Sequence, residues 1–269
     1  ALHEARVASR GDAEQEDEAY ELQPDAEPSF RGELWVFAEQ EDGELHSATF
    51  GLLGKTSALA RRLGEQVGAV VLGTDVAGMA DDLIAHGADR VYAIEHERLG
   101  HFSAIPYTDA MAELIDIHGP QMLMFAATPM GRELAPRVAY RADSGLTADC
   151  TALALVDTRR ARKDYTAVLR QTRPALGGNI MASILTRNSR VQMSTARPGV
   201  FQALEADPGR TGEVIRHVPD LAACDAGVTV VSYEPLQHTE GLEDDADHVV
   251  LGLGLGEPQA VDLDAVAEA

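Results

Sequence analysis

Apolar and polar residues alternate in blocks along the middle of the chain. Apolar runs typical of buried strands stand at 32–40, 67–73, 90–96 and 121–128. The segments that follow them have the 3.6-residue period of amphipathic helices, at 50–66, 77–88, 107–119 and 130–143. Apolar strands separated by such helices are typical of a parallel sheet covered on both faces. The pattern therefore predicts an α/β fold with a mostly parallel sheet and helices on both faces.

The pattern changes after Asp143. Four β-rich runs follow one another with short polar turns between them: TADCTALALVD, YTAVLRQTRP, GNIMASILT and VQMSTARP. Short turns join antiparallel strands, so we expect an antiparallel β extension to the parallel sheet. One more strand is predicted at 227–236, from the run GVTVVSYEPL.

Domain boundaries follow from the segments that have no apolar period. Residues 1–30 are acidic, and we expect them to form a disordered, solvated tail. Residues 31–236 are predicted to form one α/β domain. The polar and acidic stretch 237–248 is predicted to be a linker, and 249–269 would begin a second domain.

The last segment carries a glycine pattern. The run VVLGLGLG leads from a short strand into Gly252, Gly254 and Gly256, and a helix start follows. A strand, a glycine turn and a helix are how many nucleotide-binding domains begin. We interpret the segment as the first strand of a truncated second domain.

Acidic residues outnumber basic ones by two to one. The chain has 44 Asp and Glu against 22 Lys and Arg, a net charge of −22, and Lys55 and Lys163 are its two lysines. A binder of the nucleic-acid backbone needs the opposite charge, so that class is excluded. An acidic, lysine-poor chain stays hydrated when salt screens its repulsion. We therefore expect a halophilic protein, with simple compositional bias as the alternative.

No membrane or export signal is visible. No run approaches the roughly 20 apolar residues that span a bilayer, and the N-terminal residues lack the basic and apolar regions of a signal peptide. We expect a cytoplasmic protein without membrane insertion.

The common catalytic and metal-binding motifs are absent from the sequence. His96 and His101 are five residues apart, whereas two ligands on one helix face are four apart. Cys150 and Cys224 are too few for a cysteine metal site. The segment GLLGKTS around Lys55 lacks the spacing of a P-loop, and no GxSxG motif follows a strand. We predict no catalytic residue and no metal site.

One helix start is a candidate anion site. A predicted parallel strand ends at Thr128, and Gly131 and Arg132 follow at the start of the next helix. Free N–H groups and the helix dipole favour an anion there, at the carboxyl end of the sheet. The alternative is a tight turn followed by a surface arginine.

Two Arg-Pro pairs form the second candidate. Arg173–Pro174 and Arg197–Pro198 each end a β-rich run, and Gly177, Gly178 and Asn179 lie between them. Proline holds the preceding arginine extended, and the glycine pair permits close backbone approach. Because the guanidinium group suits carboxylate or phosphate, these residues are predicted to contact a partner or an anion. The alternative is that both arginines pair with acids of their own domain.

Several of these stretches carry a family resemblance. GRELAPRVA, GLTADCT, RPALGGNIMASI and QMSTARPGVF resemble, in order and spacing, the α subunit of electron-transfer flavoproteins. The stretches RGELWVFAEQEDGEL and FGLLGKTSALARRLG resemble the branch with electron-bifurcating and nitrogen-fixation-associated members. The resemblance covers about residues 31–256.

The resemblance implies a heterodimer with a β subunit. It implies a Rossmann-like first domain, and a second domain that holds FAD, to which Gly252, Gly254 and Gly256 would belong. Gly254 stands where the family has an arginine that faces the flavin, so that contact does not carry over. In this family FAD carries electrons between dehydrogenases, of acyl-CoA or NADH type, and a quinone oxidoreductase, ferredoxin or flavodoxin.

We therefore expect this chain to supply mainly the scaffold and the β-subunit docking domain. We expect no autonomous catalysis, and no retention of FAD by this chain alone. Two alternatives stay open at this stage. One is an adenine-nucleotide-binding module that uses Gly131 and Arg132 for phosphate, and the other is a non-catalytic interaction scaffold.

Overall fold

The computed structural model describes residues 19–20, 27–41, 43–175, 180–224, 228 and 230–232. The chain divides into two compact units, Ala1–Ala226 and Gly227–Ala269. The helices and strands of the described residues all belong to the first unit.

The first unit contains strands and helices in alternation, followed by a run of strands. The strands are β1 (Ala19–Tyr20), β2 (Leu34–Phe37), β3 (Gln40–Glu41), β4 (Glu44–Leu45), β5 (Val67–Gly73), β6 (Arg90–Glu95), β7 (Met122–Ala126), β8 (Leu146–Cys150), β9 (Ala152–Arg160), β10 (Lys163–Ala175), β11 (Ile180–Leu185), β12 (Gln192–Ala196) and β13 (Glu213–His217). The helices are α1 (Ala48–Leu63), α2 (Ala80–Ala85), α3 (Ala104–His118) and α4 (Pro129–Arg141), with short 3-10 turns at Ala77–Met79 and Glu97–Leu99.

Seven strands form the central sheet in the order β13-β6-β5-β2-β7-β12-β8. All six pairings in it are parallel. The prediction of a Rossmann-like fold with a mostly parallel sheet is confirmed. The chain runs from β2 towards β5 and β6 on one side and places β7 on the other side. The strand order therefore reverses between β2 and β7, and their carboxyl ends form the switch point where such sheets bind ligands.

Helices cover both faces of this sheet. Because successive residues of a strand point to opposite faces, each strand contributes side chains to two cores. Leu34 and Val36 of β2 pack into a core with α1 and α2, whereas Trp35 and Phe37 pack into a second core with α3 and α4. All four side chains are almost completely buried. The near-continuous apolar runs in the sequence reflect this burial on both sides.

The antiparallel extension is confirmed, but its membership differs from the prediction. The second sheet has the order β1-β9-β10-β11, with antiparallel pairings. The runs TADC and VQMSTA, predicted to belong to it, form β8 and β12 of the parallel sheet instead. All five residues of β12 are buried, which fits a central strand covered on both faces.

Four further elements differ from the sequence pattern. Helix α3 begins at Ala104 rather than at 107, and the segment predicted as one helix at 77–88 is a 3-10 turn followed by the short helix α2. Strand β13 was not predicted, because its residues are mostly exposed and polar at the edge of the sheet. Ala19–Tyr20 pair with β9, although they lie in the segment expected to be a solvated tail.

The GLLGKTS segment lies inside α1, which is not where a phosphate-binding loop would lie. A Cβ atom on Gly51 would lie 2.5 Å from Phe201 O, and one on Gly54 would lie 2.3 Å from Gln202 O. These two glycines allow the segment after β12 to pack directly on the helix. Among the described residues, no helix is long and apolar enough to span a bilayer.

Candidate functional site

The switch point between β2 and β7 is filled by the protein itself. Glu39, two residues after β2, is only 8% exposed, and its Oε2 accepts a 2.5 Å hydrogen bond from Thr128 Oγ1. Thr128 is the N-cap of α4, and its Oγ1 also accepts a 3.0 Å bond from the Gly131 N–H group. Burial raises the pKa of Glu39 above its ordinary value, and the Thr128 hydrogen bond partly offsets the rise. A carboxyl group thus lies where such folds bind an anion.

Gly131 has a packing role at this helix start. A Cβ atom there would lie 1.9 Å from Ala126 O, a distance that no side chain tolerates. Its amide is bonded to Thr128, and the Arg132 amide is bonded to Thr128 O at 2.9 Å. The Arg132 side chain is exposed. These contacts give a structural reason for a tight turn at Gly131, and the amides offer no unpaired donor for an anion.

The two Arg-Pro pairs lie close to the same edge of the sheet. Backbone hydrogen bonds join four neighbouring segments there: Ala127 N to Ala196 O at 2.7 Å, Arg197 N to Cys150 O at 3.0 Å, and Thr151 N to Thr172 O at 2.9 Å. Arg173 follows Thr172, and Arg132 lies in the first turn of α4. We call Arg132, Arg173 and Arg197 the arginine row.

Asp149 lies among these arginines. Arg197 donates to it twice, from Nε to Oδ1 at 3.2 Å and from Nη2 to Oδ2 at 2.7 Å. The Arg197 hydrogen bond holds the pKa of Asp149 below its ordinary value, and the charges of Arg132 and Arg173 lower it further. Arg197 therefore pairs with an acid of its own domain, which was the alternative for this residue. Arg132 and Arg173 have no carboxylate partner in the described part of the chain.

A bulge in β8 sets the position of Asp149. The pairing of β8 with β12 shifts between Ser194 and Ala196, and Asp149 adopts a left-handed backbone with φ of 59°. Its N–H group donates to Thr195 Oγ1 at 2.8 Å. Aspartate tolerates this conformation better than most residues. The chain then crosses to the antiparallel sheet through Thr151, so the bulge lies at the junction of the two sheets.

Asp149 was not singled out from the sequence. Its role depends on residues that are 17 to 48 positions away along the chain. The only local signal was its place in the stretch GLTADCT, which carried the family resemblance.

Six predicted site residues lie outside the described residues. They are Gly177, Gly178, Asn179, Gly252, Gly254 and Gly256. The two strands that flank the first three are described: β10 and β11 pair from Arg170↔Leu185 to Ala175↔Ile180. Ile180 and Met181 at the end of this hairpin are 53% and 54% exposed. The hairpin therefore presents apolar side chains to solvent.

A small cavity lies beside Arg197. It has a volume of about 130 Å³ and is lined by the start of α1 and by the segment that contains Arg197, Gly199 and Phe201. Pockets for small organic ligands usually have about 300–1,000 Å³. The cavity is therefore too small for a nucleotide.

Two of the residues weighed as metal ligands, His96 and Cys150, have structural roles. His96 Nδ1 accepts a 3.0 Å bond from the Arg98 N–H group and caps a 3-10 turn. Cys150 is completely buried, and burial raises the pKa of its thiol to about 12. Among the described residues, no three side chains of His, Cys, Asp or Glu come together as metal ligands.

Comparison with known proteins extends these observations. Residues 34–222 match the model of the electron transfer flavoprotein domain. The chain is 41% identical over 220 residues to the electron transfer flavoprotein subunit alpha of Megasphaera elsdenii, covering 81% of this chain and 63% of that protein. It is 35% identical to the lactate dehydrogenase (NAD(+),ferredoxin) subunit LctC of Acetobacterium woodii, covering 89% and 54%.

A third relative has a different name. Protein FixB of Rhizobium meliloti is 35% identical over 248 residues, covering 86% of this chain and 65% of that protein. The chain thus spans between half and two thirds of the length of these three relatives. Since the match contains every strand of the parallel sheet, the chain belongs to the electron-transfer flavoprotein family, as a relative of its α subunits.

Proposed function

We propose that this chain is the scaffold and docking part of an electron-transfer flavoprotein α subunit. In the complete protein, FAD would carry electrons between a dehydrogenase, of acyl-CoA or NADH type, and a quinone oxidoreductase or ferredoxin. The observation that carries the proposal is the family match over residues 34–222, which includes all seven strands of the parallel sheet. The name of LctC, a subunit of an NAD- and ferredoxin-linked dehydrogenase, supports the NADH and ferredoxin alternative.

The flavin belongs, in this proposal, to the segment that begins with Gly252, Gly254 and Gly256. The described residues do not fit FAD at the usual position of the fold, because Glu39 and Thr128 fill the switch point. We therefore derive no electron-transfer step from them, and the redox chemistry would be that of FAD itself. The division into a tail at 1–30, a domain at 31–236, a linker at 237–248 and a flavin domain from 249 is part of the same proposal.

The partner of this domain would be the β subunit. The arginine row and the β10–β11 hairpin support this, because both present groups suited to a protein surface. The row offers guanidinium groups, and the hairpin offers the exposed Ile180 and Met181. Arginine and exposed apolar side chains are typical of interface cores. We assign Gly177, Gly178 and Asn179, between the two strands, to the same interface.

The alternative of an adenine-nucleotide-binding module has less support. Its phosphate would need the N–H groups of Gly131 and Arg132 at the start of α4, and these two are bonded to Thr128. The net charge of −22 also opposes the approach of a nucleotide. The charge is consistent with a cytoplasmic protein of a high-salt cell, which we include in the proposal.

Co-purification tests the proposal. The chain is expressed with a β subunit from the same source, and with a tag on the β subunit only. We expect a stable complex, no flavin absorption bands from the isolated chain, and no calorimetric heat of binding with AMP. Failure to co-purify would refute the docking role, and tight binding of AMP by the isolated chain would favour the nucleotide-binding alternative.

A further inference from the structure

The arginine row is a concentration of positive charge in an acidic protein. Arg197 binds the carboxylate of Asp149 and the charges of Arg132 and Arg173 also act on it, whereas the whole chain has a net charge of −22. The segments that carry Arg173 and Arg197 are joined side by side, through Cys150 and Thr151, by backbone hydrogen bonds, and Arg132 lies in the first turn of α4 after Ala127, which is bonded to Ala196. Positive charge that is distributed over several chain segments suits a protein surface better than a single small anion.

The surroundings of the row favour carboxylate groups of a protein as its ligand. The neighbouring cavity of about 130 Å³ is too small for a nucleotide. Arg197 is 50% exposed in its side chain although it is paired, so its outer face is available to a second acceptor. An arginine can bind two carboxylates at once or exchange one for another, because it has five N–H donors.

Asp149 already makes, within the chain, the contact that such a carboxylate would make. Its two oxygens accept from Nε and Nη2 of Arg197, which is the fork geometry of arginine–carboxylate recognition. The left-handed backbone and the bond to Thr195 hold it in this place. An acidic residue held by a bulge against an otherwise positive row lowers the attraction of the row for other acids.

We propose that Asp149 is an internal competitor for a β-subunit carboxylate that binds Arg197. The inference rests on the proposed docking function. In the free chain Asp149 occupies the Arg197 fork, and in the complex the partner carboxylate takes this place while Arg132 and Arg173 hold Asp149. The pair thus sets the rate and the salt dependence of docking.

The test measures association of the chain with immobilised β subunit at several salt concentrations. Asp149→Asn keeps the shape of the side chain, and asparagine readily adopts a left-handed backbone. We expect it to raise the association rate about threefold or more at low salt, with the gain vanishing as salt screens the row. Arg197→Gln is expected to lower the rate.

The matched control is Asp164→Asn. Asp164 also pairs with an arginine, Arg159, at 2.8 Å, but at the far end of the β9–β10 hairpin. It changes the net charge by the same amount, so we expect no change in the association rate. The decisive measurement combines Asp149→Asn with Arg197→Gln. Because competition acts through Arg197, the gain from Asp149→Asn should disappear in that background.

Three results would overturn the inference. They are an equal gain in the Arg197→Gln background, an equal gain from Asp164→Asn, or a lower rate with Asp149→Asn, which would make Asp149 a positioning residue. If the unaltered chain does not bind the β subunit, the docking function fails as well, so the two failures are distinguishable. The emission of Trp35, which is completely buried, verifies that each variant is folded.

Discussion

Gly131→Ala should destabilise the protein strongly, although alanine is the better helix former. The added Cβ would lie 1.9 Å from Ala126 O, where ordinary contacts begin at 3.4 Å. The start of α4 must therefore move by more than 1 Å relative to the end of β7. That movement breaks the 3.0 Å bond from the Gly131 N–H group to Thr128, and it loosens Thr128 from Glu39.

The magnitude follows from three costs and one gain. Forcing an extra methyl group into a packed site costs about 1–3 kcal/mol. Loss of an N-cap bond costs about 1 kcal/mol, and leaving a buried carboxyl group without its partner costs a further 1–3 kcal/mol or so. The better helix propensity of alanine returns at most about 1 kcal/mol. We expect a net loss of about 4 kcal/mol, or roughly 8–16 °C in Tm for a domain of this size.

Urea unfolding followed by Trp35 fluorescence measures this loss. The chain has a single tryptophan, which is completely buried, so its emission reports on the folded core. Urea leaves the ionic strength unchanged, which is important for a chain with a net charge of −22. The midpoint should fall while the slope of the transition stays the same.

Two variants test the reasoning. A Cβ atom on Gly78 would meet no atom within 4 Å, so Gly78→Ala should change stability by less than about 0.5 kcal/mol. Thr128→Ala removes the cap and the hydrogen-bond partner of Glu39 without the clash, and should cost about 3 kcal/mol. If Gly131→Ala costs no more than Thr128→Ala, the close approach to Ala126 is not what determines the glycine.

Two other substitutions and one thiol titration have expected outcomes. Glu39→Gln should stabilise the protein at neutral pH. Burial raises the pKa of the Glu39 carboxyl group in the folded state above its ordinary value of 4.5. Ionisation of Glu39 therefore lowers the free energy of unfolding as the pH rises above 4.5, and glutamine does not have this cost. The advantage over the unaltered chain in urea titrations should vanish below about pH 4; an advantage independent of pH would contradict it. Glu33 Oε2 accepts hydrogen bonds from Trp35 Nε1 and Tyr92 OH, both at 2.8 Å, and the other carboxylate oxygen pairs with Arg90. Glu33→Gln should therefore lower the free energy of unfolding by about 1–3 kcal/mol and shift the Trp35 emission. In a thiol titration of the folded chain at pH 8, Cys150 should not react, because its thiol is buried and burial raises its pKa to about 12. Both cysteines should react in urea. Rapid labelling of Cys150 in the folded chain would refute its burial.

Sequence by itself determined the order and the type of most elements in the described part of the chain. A strand that is buried on two faces is a near-continuous apolar run, and a helix that is buried on one face has apolar residues with a 3.6-residue period. Both patterns can be recognised within a short stretch of sequence. One helix end was also visible, because Gly119, the last residue of the helix predicted at 107–119, adopts the left-handed conformation that ends α3. The end of α1 at Gly64 was not recognised, since that helix was predicted to run to residue 66. The exposed, polar strand β13 was missed because an edge strand has no such apolar signal.

The placement of strands was decided by tertiary structure. The runs that form β8 and β12 look like their antiparallel neighbours, because each is short and β-rich. Their partners, β12 for β8 and β7 for β12, are far away in the sequence. Pairing at such distances depends on which faces need to be covered, and no short window of sequence contains that information.

The candidate site shows the same difference between what the sequence indicates and what only the tertiary structure decides. The sequence identified Arg132, Arg173 and Arg197 as candidates from their proline and helix-start contexts. It did not reveal that Arg197 binds Asp149 and that the charges of Arg132 and Arg173 act on the same carboxylate, or that the buried Glu39 is bonded to Thr128 at the switch point. Hydrophobic burial is recorded residue by residue along a chain, whereas charges act through space, and only the folded chain sets the distances between them.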